Sequence, residues 1–143
     1  MCSRNRSGFS LLEVLMVLVI MGMVAGLITV SVHARMAIAK QNIAKTEVAA
    51  IADAVESFHL MYGRYPSNDE GLEILTRPTE KSSEPLLHSN LKDPWGHAYE
   101  YTCPGQQNRL YEVVSLGADG MPGGSGADSD VNSWELKDKH EGP

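Results

Sequence analysis

The chain is poor in cysteine: Cys2 and Cys103 are the only two among 143 residues. That scarcity excludes a disulfide framework. Cys2 sits in a polar leader and Cys103 in a tyrosine-rich run, so Cys103 reads as a small buried or half-buried residue and not as a nucleophile. Catalytic motifs are missing as well. None of His33, His59, His88, His97 and His140 lies in an H-E-x-x-H, and no nucleophile elbow, P-loop or C-x-x-C occurs, which argues against an enzyme. Basic charge is the minority sign, with 12 Lys+Arg against 18 Asp+Glu and a net charge of −6. An acidic body repels phosphates, so nucleic acid is not an expected partner. At the start the sign reverses, where Arg4 and Arg6 precede an apolar stretch with no carboxylate before Glu13.

That stretch, residues 9–32, is broken only by Ser10, Glu13, Thr29 and Ser31 as polar positions. As a helix it would span about 36 Å, enough to cross a bilayer core of about 30 Å. The basic residues before it favour a cytoplasmic N-terminus and an exported C-terminal body. Three readings fit: a signal peptide cut after Val32-His33-Ala34, a plain signal anchor, or a leader cut before the apolar run.

Ser7-Gly8-Phe9-Ser10-Leu11-Leu12-Glu13 closely resembles the type IV prepilin signal G-F-[ST]-L-L-E. The resemblance implies cleavage by prepilin peptidase between Gly8 and Phe9, with N-methylation of the new Phe9 amine. It also gives Glu13 a purpose. A comparable ionisable residue costs about 2.5–3.5 kcal/mol within an apolar helix, and a signal peptide gains nothing from it. In a filament Glu13 would meet the Phe9 amine of a neighbouring subunit, and the penalty on an unpaired charge would fix the axial register.

After Val32 the composition turns mixed, yet neither Gly nor Pro appears before Gly63. Ala44, Val48, Ile51, Val55, Phe58 and Tyr62 recur at spacings of four and three, one face of a helix that packs on a small sheet. Lys45, Glu47, Asp53 and Glu56 are expected to face water. One helix over residues 10–62 would be about 80 Å long, roughly 50 Å of it outside a bilayer. Gly22 and Gly26 form a G-x-x-x-G pattern that permits close helix packing in a membrane.

Gly63 and Pro66 end this helix. A short helix is expected over residues 68–75, capped by Asn68 or Asp69. Asp93-Pro94-Trp95-Gly96 is a turn. Strands are expected over 97–103 and 110–116 as an antiparallel hairpin, with a third over 133–136. Tyr62-Gly63-Arg64-Tyr65-Pro66, Glu70-Gly71-Leu72, Asp93-Pro94-Trp95-Gly96-His97-Ala98-Tyr99, Ser115-Leu116-Gly117-Ala118-Asp119-Gly120 and Trp134 occur in this order. Together they resemble the major pseudopilins of type II secretion systems (the protein G family) over nearly the whole chain.

Residues 119–130 read D-G-M-P-G-G-S-G-A-D-S-D, with five glycines or prolines that prevent helix or strand. From the residues alone this is a solvated acidic loop. Carboxylates of Asp119, Asp128 and Asp130 suit Ca²⁺ if the loop folds back, but the spacing is not that of an EF-hand. The resemblance implies one structural calcium here. Asp119 and Asp130 match acids of the family's site, and the carbonyls of Leu116 and Met121 are further candidate ligands. Ser129 interrupts acids that are often adjacent in the family, so either Asp128 substitutes or one ligand is missing.

The expected fold is α+β and type IV pilin-like: a leader at 1–8, a membrane and filament-core helix at 9–32, and a periplasmic body at 33–143. That body divides into an amphipathic helix at 33–62, a connection at 63–92, and a sheet with a calcium loop at 93–136. The resemblance implies a homopolymer anchored in the inner-membrane lipid, a piston-like filament exporting folded periplasmic proteins. Its implied partners are prepilin peptidase, minor pseudopilins and an assembly platform with a cytoplasmic ATPase. Rival readings are a type IV pilin, which usually has a C-terminal cysteine pair, and a minor or competence pseudopilin, the latter better served by a basic surface. A Sec-exported calcium-binding module is a further rival.

Overall fold

The computed structural model describes residues 8–138, without the side chains of residues 27–34, 137 and 138. The leader with Cys2, Arg4 and Arg6, and the side chains of Val32, His33 and Ala34, lie outside the described residues. The chain divides into two compact units, one ending at Met36 and one beginning at Ala37.

Helix α1, Leu11–Tyr62, begins in the first unit and ends in the second. Ser10 starts it. Its Oγ accepts the Leu12 amide at 3.2 Å, and its carbonyl accepts the amides of Glu13 and Val14. A hydroxyl at this position satisfies donors that the first turn would otherwise leave open. Gly63 stops the helix with φ at 72° and an amide that donates to His59 O at 2.8 Å, a left-handed C-terminus that glycine adopts without a Cβ penalty.

Within the second unit, Ala44, Val48, Ile51, Val55 and Phe58 are each at most 1% exposed, as the four-three spacing predicts. Tyr62 packs half-buried beside them, and Ala52 and Ala54 widen the stripe. Each large member contributes about 1.5–3 kcal/mol by leaving water. The stripe shares one core with Leu72, Leu75, Leu87, Tyr99, Tyr111, Val113 and Val131.

The sheet has three antiparallel strands in the order β1 (Glu100–Thr102), β2 (Glu112–Ser115) and β3 (Val131–Asn132). Tyr101 faces Val113 across the first pair and Ser115 faces Val131 across the second. The hairpin is where the alternation places it, though shorter than expected. The third strand is a correction: residues 133–136 do not extend the sheet but open helix α2, Ser133–Asp138. Asn132 just before α2 donates its amide to Glu135 Oε1 at 2.8 Å. This Asn-x-x-Glu spacing is a helix-start signal that outweighs the apolar character of Trp134 and Leu136.

The short helix is also displaced, to a 3₁₀ turn at Leu72–Thr76 that buries Leu72 and Leu75. Neither Asn68 nor Asp69 caps it. Ser67 and Glu70 instead exchange bonds: Ser67 N reaches Glu70 Oε2 at 2.8 Å, and Glu70 N reaches Ser67 Oγ at 3.2 Å. Asn68 turns its amide to the backbone of Cys103, bonding both its N–H and its C=O. Cys103 itself is half-buried, as expected.

Candidate functional site

Two regions carry the chemistry expected from the sequence. The first is the opening of α1. Phe9 is 81% exposed, and Leu11, Leu12, Leu15, Met16, Leu18, Ile20 and Met21 are all at least half exposed. A Cβ built on Gly22 or Gly26 meets nothing within 4 Å. Glu13 lies exposed among these side chains, and among the described residues no cation is in ion-pair contact with it. An isolated soluble domain rarely leaves so large an apolar surface bare. Among the described residues no helix is long and apolar enough to cross a membrane, and the part of the apolar run beyond Gly26 lies outside the described side chains.

Farther along α1, Glu47 and Glu56 depart from expectation, since both are half-buried and turned toward the sheet. Glu47 accepts a short hydrogen bond from the Tyr99 hydroxyl. Glu56 accepts from the hydroxyls of Tyr65 at 3.3 Å and Tyr111 at 3.2 Å. Tyr111 also donates to the carbonyl of Ala52 at 3.2 Å. Burial, then the neighbouring Glu47 carboxylate, raises the Tyr99 phenol well above its ordinary range. Phenol donors thus let acids lie at the edge of an apolar core without the cost of a bare buried charge.

The second region is the loop after β2. Asp93 fastens one side of it. Buried in its turn, Asp93 accepts the amides of Trp95 (3.1 Å) and His97 (2.8 Å) and the hydroxyl of Ser115 (2.8 Å). His97 Nδ1 lies 3.1 Å from the carbonyl of Gly117. Gly117 has φ at 69°, and a Cβ there would come within 2.7 Å of the Asp128 backbone, so two strands of the loop touch backbone to backbone. The amide of Ala118 donates to the carbonyl of Ala127 at 3.0 Å across the same contact.

The predicted ligand residues are dispersed within this loop. Asp119 is exposed and accepts the amide of Met121 at 3.1 Å. Met121 is 64% exposed, and Leu116 is half-buried just after β2. Asp128 is exposed, in a short 3₁₀ turn at Gly126–Asp128. Asp130 is half-buried, and its Oδ2 accepts the amide of Gly123 at 2.8 Å. Among the described residues, no three His, Cys, Asp or Glu side chains gather as a metal cluster, so the three carboxylates do not converge. Asp130 Oδ1 is nonetheless buried with no hydrogen-bond partner. A buried carboxylate oxygen without a donor carries a desolvation penalty that a hard cation removes, and in that respect the loop fits calcium.

Comparison with known proteins agrees with this architecture. The family described as "Type II secretion system (T2SS), protein G" matches residues 31–134. The prokaryotic N-terminal methylation motif matches residues 3–29. Type II secretion system core protein G of Pseudomonas aeruginosa is 37% identical over 92% of this chain and 97% of its own length. The protein of the same name from Vibrio cholerae is 36% identical over 94% and 96%. The crystal structure of the major pseudopilin from the type 2 secretion system of enterohaemorrhagic Escherichia coli superposes with a TM-score of 0.52 at 25% identity. It covers 68% of this chain and 88% of that one. An apolar helix under a methylation motif, joined to a body that matches from residue 31 to residue 134, leaves one assignment: the chain belongs to the type II secretion system protein G family of pseudopilins.

Proposed function

We propose that the chain is the major subunit of a type II secretion pseudopilus, a structural protein and not an enzyme, that polymerises through the first part of α1. The observation that carries this reading is the exposed apolar surface of residues 9–24 with Glu13 embedded in it. Before assembly, inner-membrane lipid covers that surface, and the acidic body lies in the periplasm. Prepilin peptidase cuts between Gly8 and Phe9, and the new amine of Phe9 is methylated. In the filament, other copies replace lipid around the helix. Each large aliphatic side chain that stays out of water retains about 1.5–3 kcal/mol.

Glu13 supplies register. A carboxylate in apolar surroundings demands a cation, and the Phe9 amine of a neighbouring copy, free only after cleavage, provides one. Breaking such a pair by removing one partner costs about 3–5 kcal/mol. Minor pseudopilins, an assembly platform and its cytoplasmic ATPase start and drive the polymer, because this sequence has no P-loop of its own. Growth then pushes folded periplasmic cargo outward like a piston.

In the body, Asp130 would anchor a structural calcium, toward which Asp119, Asp128 and the carbonyls of Leu116 and Met121 would have to close as the loop rearranges. The orphaned oxygen of Asp130 supports this. Bound calcium would neutralise the loop's carboxylates and stabilise its fold.

The polymer reading is tested with Glu13→Gln, which keeps size and removes charge. In cells producing the whole secretion machinery, the variant should accumulate in the inner membrane as a processed protein yet form no filaments by electron microscopy. Filaments at the wild-type level would refute the role given to Glu13.

A further inference from the structure

A side chain of α1 reaches the loop after β2. Gln41 Nε2 donates to the carbonyl of Ala127 at 3.1 Å and to the carbonyl of Ser129 at 2.8 Å. Both protons of the amide are therefore used on two carbonyls that flank Asp128. Gln41 is half-buried and lies one turn before Ala44, where the buried stripe of α1 begins. On its other side the same segment rests against Gly117, whose missing Cβ leaves no spare room. Residues 127–129 are thus pinned between a helix side chain and a backbone, and the next residue is Asp130 with its unpartnered buried oxygen.

From this geometry we infer that Gln41 is a positioning residue for the cation site: without ligating the ion, it orients the 127–129 backbone so that Asp130 and its neighbours face the bound metal. The inference rests on the calcium reading above. An amide suits the task better than a charged donor. It offers two N–H groups in a fixed fork and adds no positive charge beside a cation. Removing a group bonded directly to a metal ligand typically lowers affinity about 10–100-fold, and Gln41, bonded to the backbone beside the ligands, belongs at the lower end of that range. The same contact connects calcium occupancy to α1, the element that carries the assembly segment, since ordering the loop also restrains the turn of α1 around Gln41.

The test compares the full chain in detergent micelles with Gln41→Met, which keeps length and loses both donors, and with Asn42→Ala, an exposed neighbour. Calcium affinity is measured by calorimetry, and amide hydrogen exchange of residues 117–130 is followed with calcium and with chelator. Gln41→Met should bind calcium on the order of tenfold more weakly, and its calcium-induced rise in melting temperature should shrink. Asn42→Ala should match the wild type in both. A purely structural contact would instead lower the melting temperature equally with and without calcium, leaving affinity unchanged, and that result overturns the inference. Should Gln41→Met fail to fold, Gln41→Asn, whose amide falls one methylene short, must show the same loss of affinity. A wild-type chain that takes up no calcium overturns the metal reading itself, and this inference with it.

Discussion

Glu13 and Glu56 are both carboxylates on α1, and their surroundings differ in kind. Glu56 faces its own body, where the hydroxyls of Tyr65 and Tyr111 bond it and the core stripe runs beside it. Glu13 lies among exposed leucines, valines and methionines, with no cation in contact among the described residues. The same helix thus contains one stretch whose chemical needs are met inside the chain and one whose needs are not. A bare apolar surface is costly in water, and a carboxylate set in it becomes costly once that surface is covered without a cation, so the second stretch is built for surroundings that other molecules provide.

The widest separation between the two stretches should come from truncating a large side chain in each. Phe58→Ala should destabilise the body by about 3–5 kcal/mol, read from urea unfolding of the chain in detergent. Leu18→Ala should leave that unfolding curve unchanged and reduce filament yield instead. An equal loss of body stability from both would erase the distinction.

Tyr111→Phe probes the internally satisfied carboxylate at a smaller scale. It removes the single hydroxyl donor shared between Glu56 and the Ala52 carbonyl, and a net loss of about 0.5–1.5 kcal/mol is expected for such a hydrogen bond. A change within error would mean that water replaces the hydroxyl without cost. The smallest effect belongs to Glu70. The Arg64 guanidinium, then the Ser67 amide, lowers its carboxyl from 4.5 to about 2. A depressed folded value contributes stability above the unfolded one, lost as pH falls through the folded one. Wild-type stability should therefore decline between pH 4.5 and about 2 more steeply than that of Glu70→Gln. Solvent screening of this exposed pair keeps the difference small.

Local pattern made the long helix legible. Its limits at Ser10 and Gly63 and the stripe from Ala44 to Tyr62 follow from capping chemistry and a 3.6-residue period, both encoded within a few neighbours. The roles of Glu47 and Glu56 were not legible, because their partners Tyr99 and Tyr111 lie 52 and 55 residues away. In the sequence each acid resembles any solvated helix position. Gln41 is hidden for the same reason, since it meets the loop 86 and 88 residues later. Spacing of a polar residue and a glutamate carries part of the rest: Asn132-x-x-Glu135 marks the start of α2, and Ser67-x-x-Glu70 closes the turn that precedes the 3₁₀ segment. The loop's acids were legible as a set, but their arrangement was not. With five glycines and prolines among its twelve positions, backbone hydrogen bonds and not side-chain pattern decide where each carboxylate lies.

Polymerisation requires that the apolar segment be kept in the working protein and freed at Phe9. The direct measurement is the N-terminal mass and sequence of the mature chain, taken from membranes with an active prepilin peptidase. A start at N-methylated Phe9 is expected, which supplies the amine that Glu13 needs. A start near Arg35 would mean that the exposed stretch of α1 is discarded, and the filament account would give way to a soluble exported module.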